Sequence, residues 1–103
     1  MKIKTEQLKE LMAKAIKGAS NHKLIPITGF VMIRNEKKKF TLTTTDGVNI
    51  LEVSTDNAEG KDLYAVVVAD LFNKLITRTS TEYVNLEVTE KGLEVKGNGV
   101  YTF

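Results

Sequence analysis

The sequence predicts an α+β domain in which one βαβββ unit occurs twice. Three observations carry that expectation. Apolar residues change from strand-like to helical spacing and back, twice and in the same order. Tight-turn residues punctuate the strand-like runs, and each half ends in a hairpin signal.

The first half covers about residues 1–60. Met1 to Lys4 alternates enough for a short strand. From Thr5 to Ala19, the residues Leu8, Leu11, Met12, Ala15, Ile16 and Ala19 recur at helical spacing and make one apolar stripe. Thr5 is the expected N-cap, Glu6 suits the positive helix start, and Gly18 with Ser20-Asn21 marks the end. Pro26 prevents helical continuation and biases Ile25 toward extended backbone. Strands are then expected over Ile27 to Arg34, Phe40 to Thr45 and Val48 to Thr55. The charged turn Asn35-Glu36-Lys37-Lys38 joins the first two, and Asp46-Gly47 is the hairpin signal between the second and third. A polar loop through Asn57 and Gly60 follows.

The second half, about residues 61–103, repeats the order. Leu63 to Val68 is a β-branched strand, and Ala69 to Arg78 carries Phe72, Leu75 and Ile76 at helical spacing. Thr79-Ser80-Thr81 breaks that helix. Val84, Leu86 and Val88 alternate with Asn85, Glu87 and Thr89, as in a half-buried strand. Glu90-Lys91-Gly92 turns into Leu93 to Lys96, and Asn98-Gly99 turns into Val100 to Phe103. Hairpin-linked strands imply antiparallel meanders, with the two helices packed on one face of the joined sheets and their polar stripes outward.

Composition narrows the function. A chain of 103 residues is one domain with room for one core. With no Cys, disulfides and thiolate metal sites are excluded, and a cytoplasmic location is expected. No stretch approaches the ~20 apolar residues that span a bilayer, so no membrane partner is expected. The net charge of +2 leaves a nucleic-acid partner open, provided the basic residues gather on one face. A single His and no Cys leave no thiol nucleophile and no multi-His metal site. Asp46, Asp56, Asp62 and Asp70 are scattered over turns and a helix start, where carboxylates serve structure. Gly97-Asn98-Gly99 is hairpin chemistry rather than a phosphate loop. The expectation is a non-catalytic protein with no cofactor and no metal.

The tandem βαβββ order resembles a domain of the sliding-clamp superfamily, and local words resemble the first domain of the bacterial DNA polymerase III beta subunit. Met1-Lys2-Ile3-Lys4 is similar to that family's opening strand, and Leu24-Ile25-Pro26-Ile27 to its apolar-Pro-Ile entry into the second strand. Phe40-Thr41-Leu42-Thr43-Thr44-Thr45-Asp46 resembles a Leu-x-x-Thr-Asp strand ending. Val67-Val68-Ala69 stands where the second helix begins, and Gly92 to Gly99 resembles the last hairpin.

The resemblance implies a DNA-clamp fold whose domains join edge to edge into a ring, with helices lining a hole around duplex DNA. Such a ring slides because phosphate contacts position without reading sequence. It also implies that replicative polymerase and clamp loader engage domains outside these 103 residues, and that this is the first domain of a longer chain. The alternation of Tyr101-Thr102-Phe103, with no polar tail, supports the same expectation.

On the first helix the face opposite the apolar stripe carries Lys9, Glu10, Ala13, Lys14 and Lys17; on the second it carries Asn73, Lys74, Thr77 and Arg78. Five bases face one acid. Lys14, Lys17, Lys74 and Arg78 are the expected phosphate-facing patch, joined by His22 and Lys23 in the loop where the family commonly presents a basic residue. Asp70 at the second helix start departs from relatives that place basic residues there, and weakens the positive field. Solvated lysines on helices that only hold a scaffold together would give the same pattern. A small oligomerising scaffold of clamp fold, making protein contacts without DNA, is the alternative.

Overall fold

The computed structural model describes residues 1–18, 29–56 and 58–103. Among them the order is β1 (Lys2–Lys4), α1 (Thr5–Ala15), β2 (Phe30–Glu36), β3 (Lys39–Thr45), β4 (Ile50–Thr55), β5 (Leu63–Val68), α2 (Ala69–Arg78), β6 (Tyr83–Thr89), β7 (Gly92–Lys96) and β8 (Val100–Thr102). The α+β order expected from the sequence is present, with the second helix at the expected bounds.

The strands form two four-stranded antiparallel sheets, ordered β1-β6-β7-β8 and β4-β3-β2-β5. Each run of three hairpin-linked strands receives the first strand of the other half: β1 pairs with β6, and β5 pairs with β2. The sheets are therefore interlocked rather than one per half. Counted outward from the exchanged strand, both have the same order, which makes β4 and β8 equivalent. Each ends its sheet.

One core joins all layers. Leu8, Leu11, Met12 and Ala15 of α1 and Ala69, Phe72 and Ile76 of α2 are buried in one cluster. The cluster takes Val31, Ile33, Phe40 and Leu42 from one sheet and Val84, Leu86, Leu93 and Val95 from the other. With 11 and 10 residues, the helices are too short to be stable alone in water. Neither has a side-chain N-cap bond. Packing therefore holds them, at about 1.5–3 kcal/mol for each large side chain buried.

Several local expectations are corrected. Thr5 is the first helical residue rather than the N-cap, because β1 runs directly into α1 and the Thr5 amide donates to the Glu82 carbonyl (2.9 Å). α1 ends at Ala15 and continues only as a 3-10 turn, Ile16–Gly18. Gly18 is needed there for close packing: a Cβ would lie 2.8 Å from that of Leu51. The turn after β2 is the pair Lys37-Lys38, not four residues, because Asn35 and Glu36 stay in register with Phe40 and Lys39. Asp46 organises a longer connection by accepting from the amides of Val48 (2.9 Å) and Asn49 (2.6 Å), so β4 starts at Ile50. The expected start of β2 at Ile27 and the turn at Ser20-Asn21 lie outside the described residues.

Candidate nucleic-acid interface

The helices pack against each other and form the layer that the sequence marks as basic. Lys14 on α1, Lys17 in the 3-10 turn, and Lys74 and Arg78 on α2 are all exposed. Lys14 and Arg78 stand in the last turns of their helices, where a cation also complements the helix dipole. His22 and Lys23 lie outside the described residues.

The charge balance of this layer is more even than the sequence suggests. Lys14 Nζ lies 3.5 Å from a Glu10 carboxylate oxygen, and Lys74 Nζ lies 3.2 Å from one of Asp70. Asp70 thus belongs to the outward face of α2, making five bases against two acids. Its spacing of four residues from Lys74 is a signal that the sequence already carried. Both pairs are more than half exposed, which limits each to a few tenths of a kcal/mol. A phosphate can displace such partners at little cost. Among the described residues, no carboxylate lies within ion-pair range of Lys17 or Arg78. Lys9 and Asn73, assigned to the outer stripes, are half-buried, whereas Leu71 is exposed.

α2 is also tied to the last hairpin. Asn98 donates to the Arg78 carbonyl (3.2 Å) and accepts from the Ser80 amide (3.0 Å), closing the helix C-terminus. Beside it, Lys74 and Arg78 line a groove with Leu71, Leu75, Tyr101 and Phe103. Two of the four cations are thereby placed near the β8 edge. That groove is not legible along the chain, because its walls come from separate segments.

No cluster of three or more His, Cys, Asp or Glu side chains suited to a metal occurs among the described residues. No helix among them is long and apolar enough to cross a membrane.

All 103 residues match the family described as DNA polymerase III beta subunit, N-terminal domain. The chain belongs to that family. Solved structures agree on the fold of this beta-subunit domain. It superposes on the beta subunit of Streptococcus pyogenes DNA polymerase with a TM-score of 0.90 at 17% identity, covering 99% of this chain and 29% of that one. For the sliding clamp of Bacillus subtilis the TM-score is 0.88 at 19% identity, over 97% and 29% of the two chains. For the beta subunit of Thermotoga maritima it is 0.86 at 20% identity, over 97% and 28%. The beta-subunit domain therefore spans less than a third of the length of these relatives. No curated protein sequence matches it.

Proposed function

We propose that this beta-subunit domain is a segment of a sliding-clamp ring that encircles duplex DNA and tethers a replicative polymerase, and that it performs no chemistry itself. The observation that carries this reading is the family match over all 103 residues on a fold whose two sheets, among the described residues, end in the equivalent strands β4 and β8. Equivalent outer strands on the two sheets suit the edge-to-edge joining that a ring requires. The exposed helical cations supply what sliding requires, a weak and distributed attraction to phosphates. In this reading it acts in the cytoplasm as the first domain of a longer clamp chain, and polymerase and clamp loader engage other domains.

Lys14, Lys17, Lys74 and Arg78 are the phosphate-facing residues in this proposal, with His22 and Lys23 in the adjoining loop. The test is duplex affinity of the assembled ring as a function of salt. Lys14→Glu with Lys17→Glu should weaken binding and reduce the slope of log affinity against log salt by about 2. An unchanged slope would remove both residues from the interface.

The ion pairing of Lys14 and Lys74 favours a second reading, a clamp-fold scaffold that makes protein contacts only. It predicts no measurable duplex affinity even at low salt.

A further inference from the structure

We infer that Asn98 is a site of spontaneous deamidation: the Gly99 backbone nitrogen attacks its side-chain amide, and the product unfastens the C-terminal end of α2. The modification does not rest on the ring reading.

Asn98 is the one asparagine followed by glycine; the others precede His22, Glu36, Ile50, Ala58, Lys74 and Leu86. A glycine has no Cβ to obstruct its own nitrogen, and its backbone reaches angles closed to other residues. The fold itself does not demand glycine here. Gly99 has no positive φ, and the atoms nearest to an added Cβ would be those of the Tyr101 ring, an ordinary 3.6 Å away. Asn98 is exposed, so water, the second reactant, reaches it.

The Gly99 nitrogen gives up its proton to solvent as it bonds to Asn98 Cγ. The bond from Cγ to Nδ2 breaks, and the amide nitrogen takes up a proton and leaves as ammonia. Water then opens the cyclic imide. Opening at Cγ leaves aspartate at this position; opening at the main-chain carbonyl carbon leaves isoaspartate. Nothing is oxidised or reduced.

In the folded chain three bonds hold the side chain on the end of α2. Nδ2 donates to the Arg78 carbonyl (3.2 Å), while Oδ1 accepts from the Ser80 amide (3.0 Å) and the Ser80 hydroxyl (3.2 Å). All three are exposed, and exposed bonds of this kind open locally without global unfolding. The reaction proceeds from that opened state. Its product cannot close again in the same way. A carboxylate does not donate, so the Arg78 carbonyl loses this partner. Negative charge also comes to stand beside the last carbonyls of α2, where the helix dipole disfavours it. Isoaspartate further adds a methylene to the main chain just ahead of β8, where the Gly97 amide donates to the Gly99 carbonyl (2.9 Å). Asn98 lines the same groove as Lys74 and Arg78, so either product sets an anion beside both cations.

Peptide mass mapping of the purified chain, held at mildly alkaline pH, tests this. The peptide containing Asn98 should gain one mass unit and divide into aspartyl and isoaspartyl forms, ahead of every other asparagine. The same cyclisation at Asp46-Gly47 leaves the mass unchanged, so the gain reads asparagine alone. The three bonds should make the folded chain about tenfold slower at Asn98 than the chain in urea. Gly99→Ala should slow the gain at least about fivefold and leave the circular dichroism as it was. Asn98→Asp, which installs one product directly, should speed amide exchange in β8 and the end of α2 but not in β2 or β3. An Asn98 amide that outlasts the other asparagines would overturn the proposal. So would equal rates in buffer and in urea, a rate that Gly99→Ala leaves unchanged, or wild-type exchange in Asn98→Asp.

Discussion

Lys37 and Lys38 occupy the left-handed region at φ of 51° and 68°, where Asn-Gly is the favoured pair for a two-residue hairpin. Each non-glycine residue held there costs about 1 kcal/mol or more. Lys37→Asn with Lys38→Gly should accordingly raise stability by about 1–2 kcal/mol, read as a higher urea midpoint at unchanged slope. Asp46 shows the opposite economy, with its carboxylate bonded to the turn it closes. Hydrogen bonds from the backbone amides of Asn49 and Val48, then from the Asn49 side chain, hold its pKa below the ordinary value. A group with a lowered folded pKa contributes stability above the unfolded pKa and loses it as pH falls through the folded one. The turn should therefore loosen only in acid, below about pH 4. An NMR titration of Asp46 should show a depressed midpoint, and Asp46→Asn should remove that part of the acid dependence.

At the scale of elements, each helix end is fastened by a residue from a distant strand or turn. Thr44 on β3 donates from its hydroxyl to the Ala15 carbonyl at the end of α1, a buried bond of 2.7 Å. Thr44→Val keeps the shape and removes one of the bonds to that carbonyl, which should cost about 1 kcal/mol in a urea titration. Asn98 does the corresponding work for α2 from the hairpin before β8. That hairpin packs so closely that a Cβ on Gly97 would sit 2.9 Å from Thr79 Cγ2. Asn98→Ala should cost only about 1 kcal/mol, because its bonds are exposed, yet should speed amide exchange across β8. A uniform increase over the whole domain would mean that Asn98 acts on global stability instead.

At the scale of the whole molecule, the exchange of β1 and β5 gives the two halves a common core. Phe72 lies fully buried in it and meets Phe103 edge-on, with ring centroids 5.8 Å apart. Phe72→Ala should cost about 3–5 kcal/mol. Because both sheets share that cluster, circular dichroism and tyrosine fluorescence should report coincident unfolding transitions; separated midpoints would show that the halves melt independently. The sequence by itself determined the element order, the apolar stripes of both helices and most of the core, since these follow from a period of two or 3.6 residues along a local stretch. It also marked the exposed cations as candidates. It could not reveal that β1 belongs with β6 and β5 with β2, because strand partners are chosen by register and shared burial between segments far apart in the chain. For the same reason only the tertiary structure put Lys74 and Arg78 beside β8. Side-chain spacing along one segment fixes which face is apolar; which segments meet is decided by packing over the whole chain.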